Sequence, residues 1–452
     1  MKELKVGYAS TLVNPPLNYP IHGYYLDRFG QGFIDDLEAS ALALNFGETN
    51  VLIISVDNGG FKQTLIERFL NAINGATGVD KDNIFISATH SHTAPSTRFP
   101  EFFDVDEGLI HGYSEFLTDK LALISKEALS TLVPAEMGFA VGRAPDRIAY
   151  IRRYRMKDGT TFTCPPINDE NIDHPIGELD QRVGVIRFKR EGADDVVIMN
   201  YGVHADTVNG DLYCSDWVGF TRRTVEKALD GTKCMCIMGA QGDVGSTNVH
   251  PLPGDMNDTE ISFDNEMKSP GMARFVGRAL AGVILQVYDK VAFTPVDSVA
   301  VVKKVLPVKM NIPDKKDLPL ARKYKELYEQ GKSDEIPYTG MQLTTVVAEA
   351  LRMCKMENSP AVSYLNMSGL RIGGIAFVTI PGEPFTDIGV QIKDTDGYDL
   401  ILPCAITNGY EGYFPVKSAF DEGGYEARTS PYKASIAEDI VACAKDILSE
   451  LK

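Results

Sequence analysis

Two hydrophobic periods alternate along this chain. Short runs rich in β-branched and aromatic residues mark buried strands, and longer stretches with apolar positions three and four apart mark amphipathic helices. Residues 4–9 alternate as a strand, and 41–46 and 51–56 read as two more, joined by the turn Gly47-Glu48-Thr49-Asn50. A helix over 62–74 then leads into the run Asn83-Ile84-Phe85-Ile86-Ser87-Ala88. That strand, helix, strand unit is the kind that builds a covered sheet. A helix over 113–132 and strands over 137–141, 182–188 and 195–201 follow, then a helix ending at Leu229 and a strand over 235–239. The remainder reads as a helix over 273–288, a strand-like stretch over 297–310, helices over 318–330 and 342–356, a long apolar strand over 370–380 with a Gly373-Gly374 turn inside it, and a last helix over 435–451. The polar, acidic segment 255–266 reads as a loop. The charged faces of the helices over 318–330 and 342–356 look solvated, and no chemistry is assigned to them.

The pattern predicts an α/β protein with mixed β-sheets covered by α-helices. A soft boundary near residue 295 separates a larger α/β part, 1–295, from a smaller one, 296–452. The sequence shows no internal repeat and no low-complexity linker, so the two parts are expected to form one continuous unit.

Composition narrows the partners. A chain of 452 residues with a formal net charge of -17 lacks the clustered cations from which polyanion binding draws its affinity, and no nucleic-acid partner is expected. Seven cysteines, scattered and odd in number, do not make a disulfide framework. Cys234 and Cys236 alternate in an apolar run and read as buried strand thiols. The amino terminus has no apolar core of a signal peptide, so a cytoplasmic location is expected for the chain as given, or a secreted one if a leader was removed. The apolar stretch 275–287 carries Arg278 and is too short to span a bilayer, so no transmembrane segment is expected.

The candidate chemistry sits where strands end. The run through Ala88 exits into Thr89-His90-Ser91-His92, and side chains two apart on an extended strand share a face, so His90 and His92 can point into one cavity. Imidazole is both a common metal ligand and the side chain best suited to proton transfer near neutral pH. The same pattern recurs at Gly202-Val203-His204, again past an apolar strand. The strand over 235–239 runs into Gln241-Gly242-Asp243-Val244-Gly245-Ser246, whose N–H groups can face an anion or simply make a tight turn. Glu383, between Pro381 and Pro384 after the long apolar strand, is oddly placed for a solubilising charge and is a candidate ligand or base. Tyr410, Tyr413 and Tyr425 stand among glycines. In the basic patch 147–157, Arg152 or Arg153 offers a guanidinium fork as a substrate clamp, or belongs to a salt-bridged surface strand.

Strand-end His90-Ser91-His92, strand-end His204, Gly242-Asp243-Val244, Gly382-Glu383 and the pair Tyr413 and Tyr425 occur together in an order that resembles the neutral (non-lysosomal) ceramidase family. The likeness runs from the first strand to about Tyr425. It implies a catalytic Zn2+ held by His90, His204, Glu383 and Tyr413, with His92 nearby, Tyr425 stabilising an oxyanion and Arg152 in the substrate cleft. The activity implied is a zinc-dependent hydrolase in which metal-activated water attacks an amide bond of a small-molecule or lipid-like N-acyl substrate. His92 or Glu383 would carry the proton to the leaving nitrogen.

The chain departs from the family in two places. Gly245 stands where ceramidases carry a serine directly after Gly-Asp-Val, with Ser246 one place later, and the carboxy-terminal β-sandwich of the family is not present in the sequence. The substrate is therefore left open between N-acyl and ester compounds, which keeps a zinc esterase in view. A metal-free member that binds an acylated or glycosylated ligand is a second reading, and a serine hydrolase using Ser246 with His250 is a third.

Overall fold

The computed structural model describes residues 3–25, 27–97, 107–251 and 268–452. The loop expected over 255–266 lies outside them. Strands β1 (Leu4–Leu12), β2 (Glu38–Phe46), β3 (Thr49–Val56), β4 (Ile84–Ala88), β5 (Val133–Arg143), β6 (Arg182–Arg190), β7 (Asp195–Tyr201), β8 (Thr232–Met238) and β9 (Ala292–Thr294) form a large sheet. Its order is β8-β7-β6-β5-β1-β2-β3-β4, with β9 also paired to β5. Strands β10 (Val299–Lys309), β11 (Val362–Ile372), β12 (Ile375–Ile380) and β13 (Leu400–Ala405) form a second sheet in that order.

The sequence shows no repeat, yet the structure builds one unit three times. Each unit is three antiparallel strands, a crossover helix, a fourth strand parallel to the third, and a helix packed on the first helix. In the first, β1-β2-β3 lead through α1 (Gln63–Thr77) to β4 and α2 (Glu107–Ser130). In the second, β5-β6-β7 lead through α3 (Asp216–Ala228) to β8 and α4 (Pro270–Val287). Two further helices, α5 (Leu318–Glu329) and α6 (Gly340–Met356), interrupt the third unit between β10 and β11. Its later strands lead through α7 (Thr386–Lys393) to β13, and after two short helices, α8 (Lys417–Glu422) and α9 (Tyr425–Thr429), the chain ends on α10 (Ile436–Glu450). What recurs is the order of apolar runs and turns, which sets hydrogen-bond topology, and that order tolerates complete change of residue identity.

Four layers result. Ile66 and Phe69 of α1, Leu117 and Leu121 of α2, Trp217 of α3 and Leu280 of α4 cover one face of the large sheet. Its other face, with Leu42, Ile53, Ile186 and Ile237, packs against Leu370, Phe377 and Leu402 of the second sheet. Helices α7 and α10 cover the far face of that second sheet through Ile388, Ile392, Ile440 and Ile447. Central strands buried on both sides explain why their sequences are continuous apolar runs rather than alternating ones. The long strand expected over 370–380 is two strands, because Gly373 takes a positive φ of 55° and turns β11 back as β12. Among the described residues no helix is long and apolar enough to cross a membrane.

Candidate metal centre

Chemistry gathers at the C-terminal ends of the three parallel pairs, where open α/β sheets place their sites. His90 and His92 follow β4, His204 follows β7, Glu383 follows β12, and Tyr410 and Tyr413 follow β13. Each loop is held by its neighbour. His90 adopts a left-handed φ of 62°, a conformation that costs a non-glycine residue about 1–2 kcal/mol, and its N–H donates to Asn58 O at 2.8 Å. The His204 N–H donates to Val244 O at 3.2 Å and the Glu383 N–H to Gly412 O at 2.9 Å. Glu383 and Tyr413 are partners in a short parallel bridge. Gly242 is required for packing, since a Cβ there would lie 2.5 Å from Glu383 O.

Four of the seven histidines converge, His22 packing its ring 5.9 Å from that of His90 and 6.0 Å from that of His92. His90, His92 and His204 are buried and offer one nitrogen each within 4.8 Å of one another. The carboxylate of Glu383, with no exposed surface, brings Oε2 to 3.2 Å from His90 Nε2 and 2.9 Å from His204 Nε2. His92 Nε2 is 3.4 Å from His90 Nε2. The rings are oriented from behind: His90 Nδ1–H donates to Gly59 O at 2.6 Å, and His204 Nδ1–H donates to Gln241 O at 2.8 Å. A proton committed to Nδ1 leaves Nε2 as a lone pair, so two imidazole acceptors face a carboxylate acceptor. His204 Nε2 and Glu383 Oε2 are accordingly buried without a hydrogen-bond partner. Burying such groups unpaired is costly, and a shared cation is what the arrangement accommodates.

Electrostatics agree with that reading. Burial first, then the Arg152 cation, push the His204 imidazole below its ordinary value, and burial holds His92 well below it, so both are neutral near pH 7. Burial alone would raise Glu383, but the surrounding imidazoles, His90 first, bring it well below the carboxylate range. Burial, then Glu383, push the Tyr413 phenol well above 10, and burial does the same to Tyr425.

The seven residues that the family likeness marks, His90, His92, Arg152, His204, Glu383, Tyr413 and Tyr425, are gathered here. Tyr413 lies with its ring nearly parallel to that of His204, 6.4 Å between centroids, and its hydroxyl accepts from Arg152 Nη2 at 3.1 Å. Tyr425 packs edge-on to Tyr413 at 5.7 Å. Arg152 lines the cavity and is also a salt-bridge partner, donating from Nε to the fully buried Glu426 at 2.7 Å. Arg153 instead turns away to Glu422 and Gly423 O.

Further participants join them, of which Tyr410 stood out among glycines in the sequence and Asp206 and Lys268 were not foreseen. Tyr410 donates to Glu383 Oε1 at 2.9 Å. Asp206, two residues past His204, stands 3.5 Å from His92 Nδ1, accepts from Tyr24 at 2.5 Å and pairs with Lys268. Lys268, then His92, outweigh the effect of burial and hold the Asp206 carboxyl low. The spacing His204-x-Asp206 was the available signal. The glycine loop behaves as a tight turn rather than an anion cradle, because the Gly242 N–H is spent on Pro384 O and that of Val244 on Gln241 O. Asp243 accepts from the N–H and hydroxyl of Thr386, both at 2.8 Å, and so ties this loop to the start of α7. Ser246 lines the cavity, whereas His250 is exposed and is not among the residues that line it.

No protein-family model and no curated protein matches the chain by sequence. Solved structures do match. The neutral ceramidase from Pseudomonas aeruginosa superposes with a TM-score of 0.71 at 14% identity, over 100% of this chain and 75% of that one. A structure of ceramidase complexed with C2 gives 0.71 at 12%, over 100% and 76%. The chain has the neutral ceramidase fold. At this identity the ceramidase likeness speaks for architecture, and the fold is the one that the motif order implied.

The ceramidase-like core encloses a cavity of about 470 Å³ beside the cluster. His92, His204, Arg152, Tyr413 and Tyr425 line it, together with Tyr24 and Tyr25 from the proline-rich segment near the amino terminus. The helices to which the sequence assigned no chemistry also reach it: Tyr328 of α5 and Met341, Leu343, Thr344 and Val347 of α6 form part of its wall. Their apolar stripe had two surfaces to cover, the hairpin's own core and this cavity.

Proposed function

We propose that this protein is a zinc-dependent hydrolase that cleaves an amide bond of an N-acyl substrate. The observation that carries the proposal is the meeting of His204 Nε2 and Glu383 Oε2 at 2.9 Å, two fully buried polar atoms that find no other hydrogen-bond partner. His90, His204, Glu383 and Tyr413 would hold the ion, which supplies Lewis acidity that polarises a carbonyl and brings the pKa of water towards about 7. Two neutral imidazoles, a carboxylate and a phenolic oxygen suit zinc in both charge and softness.

The chain's own groups do the rest. Tyr425, kept protonated by burial, donates to the carbonyl oxygen as charge develops there. Arg152, whose charge is secured by Tyr413 and Glu426 against the cost of burial, adds a fixed positive field. His92 is neutral and can take a proton and deliver it to the leaving nitrogen, with Asp206 behind its other ring atom.

Metal analysis of protein purified without added zinc is expected to find about one equivalent. A panel of N-acyl amides and esters, turned over by the wild type and not by His204→Ala, is the second arm. Absence of metal together with a melting temperature indifferent to zinc would sink the proposal, and turnover of esters alone would replace amidase with esterase.

A further inference from the structure

The His92 imidazole presents its two nitrogens to different neighbours. Its Nε2 faces the cluster, 3.4 Å from His90 Nε2, while its Nδ1 is buried and finds no hydrogen-bond partner among the described residues. The carboxylate of Asp206 stands behind it, Oδ1 at 3.5 Å, a small ring rotation away from a hydrogen bond. Catalytic hydrogen bonds are often long in unliganded sites and tighten when substrate binds. A carboxylate at Nδ1 fixes the proton there and leaves Nε2 as a lone pair towards the reacting end.

A free carboxylate would turn about its own bond, and this one is fastened at both oxygens. Tyr24 donates to Oδ1 at 2.5 Å, Lys268 pairs with Oδ2, and Lys268 Nζ also donates to Tyr24 Oη at 3.0 Å, which closes a triangle. Its corners come from three remote segments: the proline-rich stretch, the loop after His204 and the residue before the N-cap of α4. Ser269 is that N-cap, its side chain accepting from the Met272 N–H at 3.1 Å, so Lys268 leaves a fixed point of the fold. Tyr24 is fixed as well. The Arg28 guanidinium lies 4.2 Å from its ring centroid and donates from Nη2 to His92 O at 2.6 Å. Gly23, at φ 119°, lets this segment close on the imidazole, since a Cβ there would lie 2.7 Å from His92 Cγ. A buried pair of opposite charges adds little to stability, because desolvation offsets most of the attraction. Bracing one carboxylate from two sides instead fixes its direction.

We propose that Tyr24 and Lys268 are positioning residues: acting through Asp206, they aim His92 Nε2 at the leaving nitrogen of the substrate. This rests on the amide-hydrolase reading of the cluster. The attacking water gives a proton to Nε2 as its oxygen bonds to the carbonyl carbon, and that proton passes to the nitrogen as the C–N bond breaks. A leaving group that departs as a stable anion needs no such delivery, so the triangle matters for amides and much less for activated esters.

Para-nitroacetanilide and para-nitrophenyl acetate, nearly the same in shape, separate the two demands in the zinc-loaded full chain. Lys268→Met and Tyr24→Phe are each expected to lower kcat about tenfold more for the anilide than for the ester, with KM little moved and zinc content kept. Lys268→Arg is expected to recover part of the loss. Combined with His92→Ala, neither is expected to cost anything further, because residues acting through one group are not additive. Tyr24→Phe removes a single oxygen and serves if Lys268→Met does not fold. Nitrogen NMR of isotope-labelled histidine supplies an arm that needs no turnover. The His92 signal, identified by its loss in His92→Ala, is expected to show Nδ1 protonated in the wild type and a mixture of tautomers in either variant. Equal losses on both compounds, no loss on either, or a His92 signal indifferent to both substitutions overturns the inference and leaves the hydrolase reading intact. A chain that holds no zinc and turns over neither compound overturns both.

Discussion

His204 Nε2 meets Glu383 Oε2 at 2.9 Å, while the other ring nitrogen of His204 donates its N–H to Gln241 O at 2.8 Å. A backbone carbonyl thus dictates the tautomer of a side chain on a different loop. The consequence is a site whose stability depends on what occupies it.

Removing metal is expected to lower the melting temperature, and restoring zinc to raise it in proportion to the logarithm of its concentration. A ligand bound only by the folded chain contributes about 2.7 kcal/mol at a hundredfold excess over Kd. Differential scanning calorimetry of chelated and reloaded protein checks this. His204→Ala should abolish the zinc response while keeping a cooperative transition.

Tyr410→Phe deletes one hydrogen bond to Glu383 Oε1 and leaves the ring in place. Groups that orient a ligand in this way are typically worth about 10–100-fold in metal affinity or activity. Competition with a chromophoric chelator should show weaker zinc binding by a factor in that range, with little change in the thermal stability of the metal-free protein.

Acid is expected to destabilise the metal-free chain in two stages. His92 and His204 have folded pKa values below the ordinary 6.5, so the unfolded chain takes up protons first as the pH falls. Their contribution is complete above about pH 6.5 and declines below it. Glu383 is also depressed, and its contribution, complete above its ordinary 4.5, is lost as the pH falls further through its folded value. Urea titrations at pH 8, 6 and 4 should give a steadily falling midpoint, and a midpoint unchanged between pH 8 and 6 in the wild type would contradict the assignment of neutral buried imidazoles.

Arg152 and Glu426 form a pair in which the carboxylate is fully buried and the guanidinium nearly so. Replacing only one partner strands the other, at a cost of about 3–5 kcal/mol for a buried pair. Arg152→Met is therefore expected to destabilise strongly, and Arg152→Met with Glu426→Gln to recover part of the loss. Denaturant melts of both single variants and the double variant supply the coupling free energy.

How much of this could be read from residues alone depends on the range of the interaction concerned. β4 and β7 announce themselves as apolar runs, and His90 and His204 at their exits follow from local pattern. Glu383 is conspicuous because a carboxylate beside prolines at a buried strand end has little other reason to be there. Tyr410 stood out only as a tyrosine among glycines, since its contact with Glu383 is one hydrogen bond across 27 residues of chain. Lys268 and Asp206 are joined across 62 residues, and nothing near either one in sequence points to the other. What the uncharged face of helix α6 covers was not legible for a related reason. Its apolar stripe predicts that something is covered, but a periodic stripe does not distinguish a core from the wall of a cavity.

By itself the sequence determined the kinds of elements, their order and the positions at which ionisable side chains leave buried strands, because strand and helix periods are local properties of the chain. Only the tertiary structure decided that three such exits face one another, that Gly59 O and Gln241 O select the tautomers of His90 and His204, and that α6 closes the cavity. Those outcomes depend on sheet order and on contacts between segments hundreds of residues apart, which hydrophobic burial selects collectively and no short stretch encodes.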